Sequence, residues 1–226
     1  NLDDDAASLA ETAPDVEETL LDLAPELPQR VLTARLTHEF AANWKLAVEN
    51  YNECYHCPNV HRSFTTGVVN PKTFMITPRD QVIWQTAKAA PTDRVPYAFD
   101  EDHTRYGAFF VWPVSSLQCY PGRIINTFRW VPLAVDRTLL IREWWFDESE
   151  PTEEQRKAIE LDWVTTVTED FGLMESVQHN MSSRGYRPGP LIVDPSGTAD
   201  VHHENAVPHL HALTLAALGD TDLHDD

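Results

Sequence analysis

Apolar and polar residues alternate with a period of two in several stretches of the chain, which is the pattern of half-buried β-strands. The first stretch is residues 30–40, RVLTARLTHEF. Five more follow between Pro, Gly and Asp turn signals: TFMITP, QVIWQTA, YGAFFVWPV, GRIINTFRWVPL and RTLLIREWWFDE. Because consecutive strands with short links pair antiparallel, the sequence predicts a meander in a sheet of roughly six or seven strands.

Helical periodicity precedes these middle strands, in residues 42–57. The apolar positions at helical spacing are Trp44, Val48, Tyr51 and Tyr55. Pro58 should end this helix, because the residue before a proline avoids helical angles. We therefore expect His56 in the last helical turn and His61 beyond the break.

A second helical pattern is much longer and fills residues 151–185. Thr152 and Gln155 form a capping-box signature at its start, and Gly185 is a stop signal at its end. A last helix is expected over residues 204–218. Together the elements predict an α+β fold, in which a curved sheet packed on a long helix encloses a cavity that suits a ligand.

The ends of the chain differ from its middle. Residues 1–29 are acidic and interrupted by prolines, with one short helical pattern, PDVEETLLDLA, and predict a linker that packs onto the domain. The folded domain is expected over residues 30–219. Residues 220–226 read as an acidic, solvated tail.

Composition excludes some functions. The net charge of -19, from 17 basic and 36 acidic residues, disfavours binding to nucleic acid or anionic lipid. No apolar run is long enough to cross a membrane. Three cysteines and no secretory signal favour a reducing compartment, the cytoplasm, over a disulfide framework.

Possible metal ligands concentrate in residues 49–64, ENYNECYHCPNVHRSF. A zinc site of Cys54, His56, Cys57 and His61 is disfavoured, because structural zinc sites usually join ligand pairs from separate places. A Rieske cluster needs a Cys-x-His and a Cys-x-x-His loop, and only the first is present. The remaining candidate joins His56 and His61 to a carboxylate from elsewhere, which is the facial triad of non-haem iron(II) oxygenases.

The long helix offers two neighbouring acids for that third position. Helical spacing places Asp170 in an apolar stripe and turns Glu169 outward. A buried carboxylate must take up a proton or meet a cation. Asp170 is thus the candidate metal ligand, and the alternative is that it pairs with a nearby Arg or His or caps a kink near Gly172.

Two motifs resemble the large subunits of Rieske non-haem iron oxygenases. NWKLAVENYNECYHCPNVH is similar to that family's mononuclear-iron segment, and EDFGLMESVQHNMSSRGYRPGPL is similar to the segment that carries the third ligand. The resemblance implies a helix-grip fold with a large antiparallel sheet, and His56, His61 and Asp170 as ligands of Fe(II). It also implies that Glu53 links this iron, across a subunit boundary, to the Rieske 2Fe-2S cluster of a neighbouring chain.

Glu at position 53 resembles the branch of the family that oxidises quaternary ammonium compounds such as carnitine, betaines and stachydrine. The implied function is hydroxylation of a small organic substrate with O2, including N-demethylation, in a homotrimer supplied by an NAD(P)H-dependent reductase. Hydroxylation of an aromatic ring, and a metal-free helix-grip carrier, stay open as alternatives.

The family's Rieske domain is missing from these residues, although NLDDDAASLAE is similar to the segment that follows it. We expect either that the chain is part of a longer polypeptide, which Asn1 in place of Met favours, or that it lacks its own electron entry. For a cationic substrate, we expect Phe128, Trp130 and Trp145 to line the pocket. Strand aromatics also alternate between core and surface whatever the function.

Overall fold

The computed structural model describes residues 5–91, 93–94, 97, 102–197 and 199–219, so the predicted tail at 220–226 lies outside the described residues. One antiparallel sheet of seven strands forms the centre, in the order β1-β7-β6-β5-β4-β3-β2. The strands are β1 (Val31–Phe40), β2 (Met75–Arg79), β3 (Val82–Lys88), β4 (Arg105–Val111), β5 (Ser115–Tyr120), β6 (Ile124–Ala134) and β7 (Arg137–Phe146). The predicted meander and the α+β class are confirmed.

Strand β5 is the element that the sequence pattern does not reveal. Its residues Ser116 and Gln118 are polar yet buried, so they resemble a turn rather than one face of a strand. Both contact Tyr51 on the cavity side of the sheet: the Ser116 and Tyr51 hydroxyls form a hydrogen bond, and Gln118 Nε2 donates to Tyr51 Oη over 2.8 Å. The alternate residues Leu117 and Cys119 pack on the opposite face.

Helices cover both faces of the sheet. They are α1 (Leu9–Thr12), α2 (Val16–Leu23), α3 (Trp44–Asn52), α4 (Cys57–Val60), α5 (Arg62–Gly67), α6 (Glu153–Asp162), α7 (Thr168–Met181) and α8 (Ala206–Ala217), with short 3₁₀ turns at Leu27–Gln29 and Pro71–Thr73. Helix α2 buries Val16 and Leu20 against Val82 and Phe109 on one face, and α3 and α7 pack together on the other. No helix among the described residues has both the length and the apolar character needed to cross a bilayer.

The predicted long helix is interrupted. The capping box of Thr152 and Gln155 is present, but a π-helical segment, Trp163–Val167, separates α6 from α7. Helix α7 ends at Met181 rather than at Gly185. The wider i→i+5 turn changes the helical phase, so that Asp162 and Asp170, eight residues apart, both face the interior.

The first predicted helix is shorter than expected. Helix α3 ends at Asn52, Glu53 is extended, and His56 precedes α4 instead of lying in a last helical turn. Pro58 lies in the first turn of α4, where its missing N–H costs nothing, so it begins a helix rather than ending one.

Candidate metal site

Three side chains from two separate parts of the chain meet beside the sheet. His56 and His61 flank α4, and Asp170 lies in the first turn of α7. The two Nε2 atoms are 3.1 Å apart, and Asp170 Oδ1 is 3.0 Å from His61 Nε2 and 3.6 Å from His56 Nε2. One possible ligand atom from each residue lies within 4.8 Å of the other two.

Each imidazole has a carboxylate on its other nitrogen. Glu53 accepts a hydrogen bond from His56 Nδ1, and its second oxygen accepts the backbone N–H of Tyr55 over 2.6 Å. Glu169 Oε2 is 2.8 Å from His61 Nδ1. A carboxylate only accepts hydrogen bonds, so each Nδ1 donates and each neutral ring presents the lone pair of Nε2 to the centre.

The centre therefore holds three acceptor atoms that face one another. Asp170 Oδ1 is buried and receives no hydrogen bond from any described residue. Such an arrangement needs a cation, and two imidazoles with one carboxylate are the ligand set of mononuclear Fe(II) oxygenases. The donor set of this chain thus fits the iron that the sequence resemblance implies.

The pKa of His61 reflects the same charge pattern. Burial alone would lower this pKa, but the carboxylates of Asp170 and Glu169 outweigh burial and raise it above the ordinary histidine value. Without a metal, these two carboxylates favour the protonated form of His61.

Hydrogen bonds hold the two ligand-bearing parts in register. Glu175 accepts the backbone N–H of Ala41 over 2.9 Å, and Gln178 accepts that of Asn43 over 2.8 Å, so α7 is fixed to the turn that begins α3. The Asn43 side chain in turn caps α3 through the N–H of Lys45. These contacts determine where Asp170 lies relative to the histidines.

The three residues open onto a cavity of about 60 Å³. Its aromatic walls are Tyr51, Phe64, Phe74, Tyr106, Tyr120 and Phe128, and its polar walls include Gln85 and Gln118. Apart from the histidines, the only charged groups among the described lining residues are Glu53 and Asp170. Ligand pockets usually measure about 300–1,000 Å³, so a substrate must displace some of these side chains.

Of the three predicted pocket aromatics, only Phe128 lines the cavity. Trp130 stacks behind Phe128, with ring centroids 5.2 Å apart and an interplanar angle of 11°. Trp145 lies on the other face of the sheet, against Ala24 and Ile125, so its prediction is wrong. Neighbouring strand residues point to opposite faces, and of Trp144 and Trp145 it is Trp144 that points inward.

The prediction against disulfides is also wrong. Cys54 and Cys57 form a disulfide, and Cys119 is free and buried. An odd count does not exclude one local pair, because two residues three apart can reach the required separation, here 4.9 Å between Cα atoms. Thiolate ligation of zinc by this pair is excluded in this structure.

Two functional contacts escaped the sequence patterns. Helical spacing predicts that Glu169 faces outward, yet its side chain is only 33% exposed and contacts His61. Tyr51 lines the cavity and contacts β5, and burial raises its pKa to about 12, so its hydroxyl keeps its proton. No signal in the sequence separates Tyr51 from an ordinary core aromatic.

An antiparallel sheet packed against helices, with two histidines and an aspartate at a cavity, is the arrangement found in the helix-grip catalytic domains of Rieske oxygenases. Residues 31–219 match the family model of the ring hydroxylating alpha subunit catalytic domain, and the chain belongs to this family.

Comparison with individual proteins places quaternary ammonium oxygenases among its relatives. The chain is 32% identical over 225 residues to the carnitine monooxygenase oxygenase subunit of Escherichia coli (strain K12), covering 97% of the chain and 59% of that subunit. The glycine betaine monooxygenase oxygenase subunit of Chromohalobacter salexigens is 25% identical over 235 residues, with 81% and 52% covered.

Among solved structures, the quaternary ammonium Rieske monooxygenase CntA in complex with an inhibitor superposes with a TM-score of 0.83 at 27% identity. That match covers 96% of this chain and 57% of the solved chain. The chain thus spans a little over half the length of the relatives it matches.

Proposed function

We propose that this chain is the mononuclear-iron part of an oxygenase that hydroxylates a quaternary ammonium compound next to its nitrogen. The convergence of His56, His61 and Asp170 around one point is the observation that supports the proposal most. The relatives named as carnitine and glycine betaine monooxygenases support the substrate class.

In this proposal, the two imidazoles and Asp170 would hold Fe(II), which would supply the redox chemistry that activates O2. The reaction would need two electrons, which an NAD(P)H-dependent reductase would supply by way of a Rieske 2Fe-2S cluster. One oxygen atom of O2 enters a C–H bond and the other leaves as water with two protons. The hydroxylated carbon then carries both oxygen and nitrogen, and its C–N bond breaks to give a carbonyl compound and an amine.

The cavity has the chemistry to hold a cation. Rings of Phe64, Tyr106 and Tyr120 lie within 5.5–6.1 Å of one another, and no lysine or arginine occurs among the described lining residues. Aromatic faces attract a quaternary ammonium group, and nearby carboxylates add to the attraction. A methylated ammonium bound there would lie next to the iron ligands that share the cavity.

Glu53 is the proposed route for electrons from a neighbouring subunit of a homotrimer. Its side chain is 14% exposed and hydrogen bonds to His56 Nδ1, so it can contact an outside group while it touches a ligand. A cytoplasmic location stays a prediction, which cell fractionation would test.

The substrate class is tested with the complete enzyme, including the Rieske cluster and a reductase. Oxygen uptake and amine release are measured with carnitine, gamma-butyrobetaine, glycine betaine and a panel of aromatic acids. Uptake coupled to amine or formaldehyde release from a quaternary compound supports the proposal. Coupled turnover of aromatic acids alone would overturn it in favour of ring hydroxylation.

The relay role of Glu53 is tested by Glu53→Gln. We expect this variant to keep its iron and to lose most coupled turnover, because the amide cannot carry the carboxylate's charge. Glu49→Gln is a matched control on α3, where Glu49 contacts His211 on the surface rather than His56. If Glu53→Gln kept as much coupled turnover as Glu49→Gln, Glu53 would not be the electron relay.

A further inference from the structure

Glu169 and Glu53 occupy equivalent positions at the two histidines. Glu53 contacts Nδ1 of His56, and Glu169 contacts Nδ1 of His61 over 2.8 Å. The His61 side chain is 4% exposed, so water has little access to this nitrogen, and Glu169 is its hydrogen-bond partner.

The contact determines how the His61 ring can bind a metal. Because the Glu169 carboxylate accepts, the proton of the neutral ring lies on Nδ1 and the lone pair lies on Nε2. Nε2 is the nitrogen that lies 3.0 Å from Asp170 and 3.1 Å from His56 Nε2. The opposite tautomer would point an N–H into the centre and prevent metal binding by this ring.

We propose that Glu169 is a positioning residue that holds His61 in the tautomer and ring orientation needed for metal binding. Neighbouring residues of one helix then have complementary tasks: Asp170 binds the metal, and Glu169 orients the histidine that binds beside it. The inference rests on the proposed metal site. It gives a role to Glu169, a residue that helical periodicity alone would describe as an outward-facing, solvated acid. A hydrogen-bonded acceptor on a ligand histidine typically contributes about 10–100-fold to metal affinity.

The test measures Fe(II) affinity anaerobically, by competition with a chelator, in four forms of the chain. Glu169→Ala should bind about 10–100-fold more weakly than the wild-type chain, because the Nδ1 proton loses its acceptor. Glu169→Gln should bind nearly as tightly as wild type, because its amide oxygen still accepts. Glu160→Ala, which removes an exposed acid from α6, is the control and should match wild type.

A second readout does not depend on affinity. In the zinc-loaded protein, the ¹⁵N shifts of the His61 ring should show a proton on Nδ1 in the wild-type and Glu169→Gln chains. The EPR spectrum of the ferrous nitric oxide adduct should change in Glu169→Ala and stay unchanged in Glu160→Ala. Circular dichroism shows whether each variant folds. If Glu169→Ala does not fold, the zinc-loaded wild-type chain decides, because a His61 ring without a proton on Nδ1 would overturn the inference.

The results separate this inference from the proposed function. Glu169→Ala with the affinity and spectrum of Glu160→Ala would overturn the inference while the iron site stands. Loss in Glu169→Gln as large as in Glu169→Ala would also overturn it, because charge rather than the hydrogen bond would then be responsible. Failure of the wild-type chain to bind iron would instead reject the proposed function.

Discussion

Asp162 and Asp170 lie two turns apart on the same helical stretch, yet they differ in the hydrogen bonds that their carboxylate oxygens accept. Asp162 Oδ2 accepts hydrogen bonds from Arg142 Nη2 at 2.6 Å and from Trp144 Nε1 at 3.0 Å, and Oδ1 accepts one from Tyr120 at 3.0 Å. Asp170 Oδ1 faces two imidazole nitrogens and receives no hydrogen bond from the described residues.

The difference separates a structural carboxylate at the end of α6 from a candidate metal ligand at the start of α7. The chain supplies its own permanent cation to Asp162, since Arg142 is fully buried beside it. Around Asp170 Oδ1 the described residues present only the two imidazole nitrogens, so the positive charge is left to come from outside. A carboxylate surrounded by acceptors therefore indicates a binding site, and one surrounded by donors indicates structure.

Removing the cation at Asp162 should have the largest effect. Arg142→Met leaves Asp162 as an uncompensated buried charge, so we expect the free energy of unfolding to fall by about 3–5 kcal/mol. Denaturant unfolding measures this loss. A loss near that of an exposed control, Arg156→Met, would contradict the structural role assigned to the pair.

Removing the Cys54–Cys57 disulfide should have a smaller effect, and it should affect the metal site but not the Asp162–Arg142 pair. His56 lies inside the ring that Cys54 and Cys57 close. The double change to serine should lower the free energy of unfolding by about 2 kcal/mol, the chain-entropy value for so short a loop. It should also weaken Fe(II) binding a few-fold, whereas Cys119→Ser should leave iron affinity unchanged.

Near neutral pH, a change of pH should affect the proposed metal site but not the Asp162–Arg142 pair. The pKa of His61 is raised, so in the metal-free chain its proton stabilises the fold below the ordinary histidine pKa. That stabilisation disappears as pH rises through the raised value. Metal binding needs the neutral ring, so metal affinity should rise over the same interval, by up to about tenfold per pH unit for one displaced proton.

Two titrations check these opposite trends: unfolding of the metal-free chain, and zinc affinity, each followed across the neutral range. Asp170→Asn should reduce the change in stability, because it removes a carboxylate that raises the His61 pKa. Stability and affinity that rise together with pH would contradict this account.

The sequence predicts the fold well where inward-facing residues are apolar. Six strands follow from alternation, and the convergence of His56, His61 and Asp170 follows from motif and periodicity. The prediction fails where inward-facing residues are polar, because the inner face of β5 is Ser116 and Gln118, which contact the cavity network instead of a dry core.

Other errors come from local geometry that periodicity cannot represent. The π-helical segment shifts the phase of the residues that precede Asp170. After Asp170, within one regular helix, the apolar stripe is only partly buried: Met174 is inside, whereas Leu173 and Val177 are exposed. The sequence prediction places Trp145 on the wrong face of β7, because a run of two tryptophans does not indicate which one points inward.

The most direct test of the central claim is the iron content of the chain after anaerobic loading with Fe(II), compared with Asp170→Ala. We predict one iron per wild-type chain, none in Asp170→Ala, and unchanged loading in Glu160→Ala, with circular dichroism showing that the metal-free Asp170→Ala chain still folds. Stoichiometric iron retained in Asp170→Ala would contradict the account, because Asp170 would then not be the carboxylate that completes the site.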